Sequence, residues 1–136
     1  MIEQVTVFLE NEKGRLSALT RALANAGVNM QALTIAETSD YGLVRIVCDK
    51  PAQAVEALEA AGLRAIVTKV VAVVVPNRPG GLADLLETLD ALGLNIEYGY
   101  CFSVADGEAI DVLKVTDVDA VSQALEKAGY RLANIN

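Results

Sequence analysis

The sequence predicts an α+β fold in which one β-α-β-β-α-β unit occurs twice, giving two antiparallel sheets packed side by side with their helices on one face. Three observations carry this prediction: an internal repeat, a fixed order of hydrophobic periods within each copy, and turn residues at matching places. Sliding the chain against itself by 66 residues aligns Val5 with Val71, Val7 with Val73, Asn11 with Asn77, Gly14 with Gly80 and Leu16 with Leu82. Leu19 then meets Leu85, Leu23 meets Leu89, Gly27 meets Gly93 and Asn29 meets Asn95. These nine identities fall within the 26 positions 5–30, where roughly two or three would arise by chance. One inserted residue makes the shift 67, and ALEAAGLR at 57–64 then meets ALEKAGYR at 124–131. The domains so defined are 1–68 and 69–136.

In the first copy, Gln4 to Glu10 is β-rich and apolar, and Arg15 to Ala26 carries Leu16, Leu19 and Leu23 on one helical face. Gly27 ends that helix at the position where a left-handed residue is usually needed. Two β-type runs follow, Asn29 to Thr38 and Tyr41 to Cys48, around the turn residues Ser39-Asp40. Ala52 to Ala61 is a helix entered through Pro51 and stopped by Gly62, and Leu63 to Thr68 is the fourth strand. The second copy repeats the order with Val70 to Val75, Leu82 to Leu92, Asn95 to Val104, Glu108 to Val115, Ala120 to Ala128 and Tyr130 to Ile135. Ala105-Asp106-Gly107 supplies its hairpin turn. A unit of about 68 residues buries too little surface to be comfortable alone, so two should pack together. The fourth strand of copy one runs almost straight into the first strand of copy two.

Composition narrows the function. The chain has 136 residues, of which 53% are hydrophobic and 21% charged, a globular balance. Its net charge of −7 has the wrong sign for tracking phosphates, which argues against nucleic acid as a partner. With no histidine, mechanisms built on an imidazole base, a Ser-His-Asp triad or a His metal ligand are excluded, and two cysteines cannot make a four-thiolate zinc site. No metal site, cofactor or catalytic residue is expected. The glutamates at 56, 59, 87, 97, 108 and 126 read as solvated faces, not acid-base groups. The start lacks a basic and then apolar leader pattern, and the longest apolar run, Val70 to Val75, is far too short to span a membrane. A cytoplasmic location follows, in which Cys48 and Cys101 read as small buried hydrophobes.

Two motifs recur at equal spacing. The loop between first strand and first helix reads ENEKGRL in copy one and PNRPGGL in copy two, each with an Asn three residues before a Gly. One reading has Asn11 and Asn77 capping the turn while Gly14 and Gly80 permit a tight bend. The other adds that unpaired N–H groups at a helix start form a site for a carboxylate or phosphate. Asn29 and Asn95, each 18 residues further on in GVNM and GLNI, offer an amide that both donates and accepts, which suits a zwitterion. Lys13, Arg15 and Arg78 flank the loops and would strengthen carboxylate capture. In copy two, Tyr98, Tyr100 and Phe102 alternate on one side of the pleat and form an apolar face with Ile96 and Val104, where copy one has Ala32, Thr34 and Ala36. That face reads as core or oligomer interface, or as the place where a tyrosine hydroxyl meets a ligand side chain.

The element order, the NRPGGL loop and the GLNI strand entry resemble the ACT domain, a small regulatory module of ferredoxin-like topology that binds amino acids. The resemblance covers nearly the whole chain, twice, and is closest to stand-alone tandem ACT proteins. Copy two has the usual N-x-P-G form in Asn77-Arg78-Pro79-Gly80, whereas Asn11-Glu12-Lys13-Gly14 lacks the proline. The resemblance implies a ligand at an interface of two domains, with Asn77 and Gly80 facing Asn29, and Asn11 and Gly14 facing Asn95. Arg15, Leu16, Arg78, Gly81, Leu82, Tyr98 and Tyr100 complete the candidate set. It further implies a non-catalytic, allosteric sensor of a free amino acid that acts as a homodimer or on a regulated enzyme, with no membrane partner. Two rivals share the topology: an interaction module without ligand, and an acylphosphatase-like hydrolase, for which Arg15 and Asn29 superficially qualify while the longer glycine-rich cradle is missing.

Overall fold

A computed structural model describes residues 1–37, 40–104 and 106–136. Thr38, the expected last residue of a strand, and Ser39 and Ala105 of the two expected hairpin turns lie outside the described residues. The chain forms two compact units, Glu3–Thr68 with Ile135–Asn136, and Lys69–Asn134 with Met1–Ile2.

The first unit contains β1 (Ile2–Glu10), α1 (Arg15–Asn25), β2 (Met30–Glu37), β3 (Tyr41–Cys48), α2 (Pro51–Ala60) and the start of β4 (Arg64–Pro76). Its strands lie in the order β2-β3-β1-β4, and both pairings of β3 are antiparallel. Alternation in β1 sends Val5, Val7 and Leu9 towards the helices, where Leu19 and Leu23 of α1 and Ala54 and Leu58 of α2 close the core. Burying each large aliphatic side chain contributes about 1.5–3 kcal/mol, which holds the short helices in place. The opposite face of β1 carries buried polar groups that satisfy one another: Gln4 Nε2 donates to Thr6 Oγ1 at 2.9 Å, and Thr6 Oγ1 lies 3.1 Å from Thr68 Oγ1.

The second unit uses the rest of β4 with α3 (Gly81–Ala91), β5 (Ile96–Ser103), β6 (Glu108–Val115), α4 (Val118–Lys127) and β7 (Arg131–Leu132), in the strand order β5-β6-β4-β7. Its core joins Val71, Val73 and Val75 to Leu85, Leu89, Val121 and Leu125. Asp117 caps α4, its carboxylate accepting from the Ala120 N–H at 3.0 Å.

Three expectations about elements need correction. The strands expected at 63–68 and 70–75 are one continuous 13-residue strand, because no turn residue interrupts the β-branched run. The final strand, expected from Tyr130 to Ile135, pairs in register only at Arg131 and Leu132, with one further backbone bond from the Ala133 N–H to Ala72 O at 2.7 Å. Beyond it the chain is drawn elsewhere: the Asn136 amide accepts from the Glu3 N–H at 2.9 Å and donates to the carbonyls of Glu3 and Cys48 at 2.8 and 2.9 Å. Finally, Ile96 does not join the aromatic face of β5. A register shift between Ile96 and Tyr98 turns Ile96 towards the helix-side core while Tyr98, Tyr100 and Phe102 point to the other face.

Candidate functional site

Both first loops are built by the same backbone bonds. The Asn11 N–H donates to Asp40 O at 3.1 Å, Arg15 N–H to Glu12 O at 3.3 Å and Ala18 N–H to Gly14 O at 3.0 Å. In the second unit Asn77 N–H donates to Gly107 O at 2.8 Å, Gly81 N–H to Arg78 O at 3.0 Å and Asp84 N–H to Gly80 O at 2.9 Å. Gly14 and Gly80 are the N-cap residues, left-handed at φ 87° and 86°, and neither helix has a side-chain cap. The helix caps are thus the glycines and not Asn11 or Asn77, and the tight bend expected of Gly14 and Gly80 is their left-handed conformation, which leads the chain into the first turn. Among the described residues, the N–H groups of Leu16 and Ser17, and of Leu82 and Ala83, are left without a protein acceptor. Two adjacent free donors at the positive end of a helix suit one carboxylate.

Gly81 has a separate reason to be glycine. A Cβ there would lie 2.3 Å from the Pro76 carbonyl oxygen, so α3 starts tighter against its strand than a side chain allows. Leu16 and Leu82, at the two helix mouths, are 37% and 47% exposed and stand outside the cores.

Within each unit the loop and the strand-entry asparagine lie at opposite ends of the second strand. Asn11 bonds beside the Glu37–Gly42 end, whereas Asn29 precedes Met30 and donates its N–H to Asp49 Oδ1 at 3.0 Å. The eight residues of β2 separate them by roughly 25 Å. Asn95 and Asn77 are separated in the same way along β5. Tyr98 and Tyr100 pair with Lys114 and Val112, which puts them on the face away from the helices and not at the loop of their own unit.

What the first unit does bring to its loop is the far end of β2. A cleft of about 170 Å³ lies between Asn11, Glu12 and Leu16 on one side and Ile35, Glu37 and Gly42 on the other. Ile35 and Glu37 were absent from the sequence-derived set, although strand alternation from a known hairpin register would have found them. The corresponding residues in β5 are Cys101 and Ser103. Cys101 is exposed and only Cys48 is buried, which corrects the reading of both thiols as core: β5 ends its sheet and is paired on one side only.

The family profile described as ACT domain pair matches residues 1–128. The chain belongs to the ACT domain family. A protein of known structure from Bacteroides thetaiotaomicron is 36% identical, with a TM-score of 0.91 over 96% of this chain and 90% of that one. The ligand-free regulatory subunit of aspartate kinase from Thermus thermophilus shares the fold at 18% identity and a TM-score of 0.69, covering 93% of this chain and 91% of that one. The corresponding subunit from Thermus flavus is similar at 20% identity and a TM-score of 0.63, over 93% and 91%. No curated protein matches the sequence.

The charges around the two ACT loops differ. In the first, Arg15 is held by Glu10 and Glu12 at 3.3 Å each. In the second, Arg78 pairs with one acid among the described residues, Asp84, at 3.9 Å. The second ACT unit also carries a buried acid that sequence reasoning passed over. Asp111 pairs with Val73 and Cys101 across its two neighbouring strands, so it shares the helix-side face with the core valines. It is 4% exposed, its Oδ2 has no partner, and the first unit has Val44 in its place. Burial pushes its carboxyl above the usual carboxylate range, offset in part by a hydrogen bond with the Cys101 side chain. Among the described residues no helix is long and apolar enough to cross a membrane.

Proposed function

We propose that this ACT domain pair is a non-catalytic cytoplasmic sensor of a free amino acid. The ligand sits at an interface between ACT surfaces, with its carboxylate on the free N–H groups at the start of α1 or α3. The observation that carries the reading is the pair of acceptor-free donors at Leu16–Ser17 and Leu82–Ala83, set by the same left-handed glycine in both units. Because Asn29 and Asn95 stand roughly 25 Å from the loops of their own units, an amide that meets the ammonium group has to come from a second ACT surface. Ligand binding then changes how ACT surfaces pack, and a second copy of the chain or a regulated enzyme reads the change. The two sites are unequal: Asn77, Arg78, Gly80, Gly81 and Leu82 make the tighter, less neutralised loop, and Asn11, Gly14, Arg15 and Leu16 the more acidic one.

A thermal-shift panel of the standard amino acids tests the proposal. A ligand at 100 times its dissociation constant adds about 2.7 kcal/mol of stability. A rise in Tm with one chemically related group of amino acids is the expected result. Silence across the panel overturns the sensor reading and favours an interaction module.

A further inference from the structure

A larger cleft lies in the first unit on the other side of Glu10 from the loop site. It measures about 510 Å³, within the range of small-molecule sites, and is walled by Phe8, Glu10, Arg15, Tyr41, Leu63 and Arg64. Four elements meet there: the end of β1, the start of α1, the start of β3, and the turn from α2 into β4. Arg64 is its distinctive member. The guanidinium lies 5.1 Å above the centre of the Phe8 ring, and among the described residues it makes no ion pair. The cation–π contact sets the guanidinium over the ring, and its N–H donors form the fork that matches a carboxylate. Arg15 is already neutralised by Glu10 and Glu12, so of the two cations in this cleft Arg64 is the one without an ion pair among the described residues.

The duplication supplies an internal control. The same place in the second unit is a cleft of about 400 Å³ whose walls include Val74, Glu108, Tyr130 and Arg131. Arg131 stands where Arg64 does, but Glu108 replaces Tyr41 and forms an ion pair with it. Val74 replaces Phe8, so the aromatic platform is gone as well. The second cleft thus satisfies its cation internally, whereas the first leaves its cation aimed at solvent beside apolar walls.

We infer that the cleft between Phe8, Tyr41 and Arg64 binds a small organic anion with a flat apolar body, of the aryl-carboxylate class. It lies next to the loop site for amino acids, with which it shares Leu9 and Glu10 as a common wall, and it is also lined by Arg15 of the candidate loop set. The carboxylate takes the edge of the Arg64 guanidinium, and the ring rests against Leu63, Tyr41 and the rim of Phe8. Binding here does not depend on the free N–H groups of α1, so this inference and the amino-acid reading can fail independently.

Isothermal titration of the full chain with phenylacetate tests it, using benzyl alcohol as the ring without the charge and acetate as the charge without the ring. Saturable binding of phenylacetate is expected, at least ten-fold tighter than either control. Arg64→Gln should weaken it ten-fold or more. Tyr41→Glu should do the same without touching Arg64, because it copies the carboxylate that neutralises Arg131. Asn11→Ala should leave it unchanged. The inference is overturned by absent saturable binding, by equal affinity for benzyl alcohol, or by phenylacetate binding that survives both Arg64→Gln and Tyr41→Glu. Loss of binding in Asn11→Ala also overturns it, by merging the cleft with the loop site.

Discussion

Replacing Asp111 with valine should stabilise the protein. The carboxyl group is 4% exposed among core valines and leucines, one oxygen has no partner, and the Cys101 side chain is the hydrogen-bond partner that offsets the burial. A buried polar group left unsatisfied costs about 1–3 kcal/mol, and more when charged. Valine restores the residue that the first unit carries at Val44, which is fully buried there. The expected gain at pH 7 is therefore about 1–3 kcal/mol, or roughly 3–6 °C in Tm per kcal/mol for a chain of this size. The gain should depend on pH. Because the folded carboxyl titrates above the ordinary carboxylate value, the folded state holds its proton more tightly than the unfolded state does. Wild-type stability from this group is thus fully present below the ordinary value and is lost as pH rises through the raised one. Thermal melts followed by circular dichroism from acid to neutral pH should show the variant's advantage growing as pH rises above the ordinary carboxylate value and then levelling off. A variant that melts lower than wild type at pH 7, or an advantage independent of pH, would refute the reasoning.

Further outcomes follow from the same structure. Gly81→Ala places a Cβ against the Pro76 carbonyl oxygen and should cost about 1–3 kcal/mol, read as a fall in Tm; an unchanged melt would mean that α3 can shift freely. Thiol titration of the folded protein with an aromatic disulfide should release one equivalent, from exposed Cys101, and the second only on unfolding, because Cys48 is buried and its thiol pushed up by that burial. Two fast equivalents would contradict the packing of β3. For a bound amino acid, Asn77→Ala should weaken affinity more than Asn11→Ala, since the proline-bearing loop is the tighter one; the reverse ranking in calorimetry would assign the better site to the first unit.

The repeat made both ACT units legible because each core position was written twice. Leu19 with Leu23, and Leu85 with Leu89, sit at helical spacing and are buried in both units. The loops were legible for the same reason, and their glycines proved to be the caps. Other features were not readable from periodicity. Both faces of β6 are largely buried, so alternation could not say that Asp111 joins the core side. A bulge shifts register by one residue without any mark in the sequence, which is why Ile96 and Tyr98 fall on opposite faces. Ile35 and Glu37 reach the first loop only through the hairpin register of β2 and β3, a non-local pairing that a linear pattern does not reveal. The cleft at Arg64 is more hidden still, since it joins residues from 8 to 64 through four separate elements.

If the proposed function holds, the acceptor-free N–H groups at the helix starts bind the carboxylate of an amino acid. Amide chemical-shift mapping during titration with the amino acid that most raises Tm tests it most directly. Saturable shifts are expected, largest at Leu82 and Ala83, followed by Leu16 and Ser17. Saturable binding that leaves all four of these amides unmoved would contradict it.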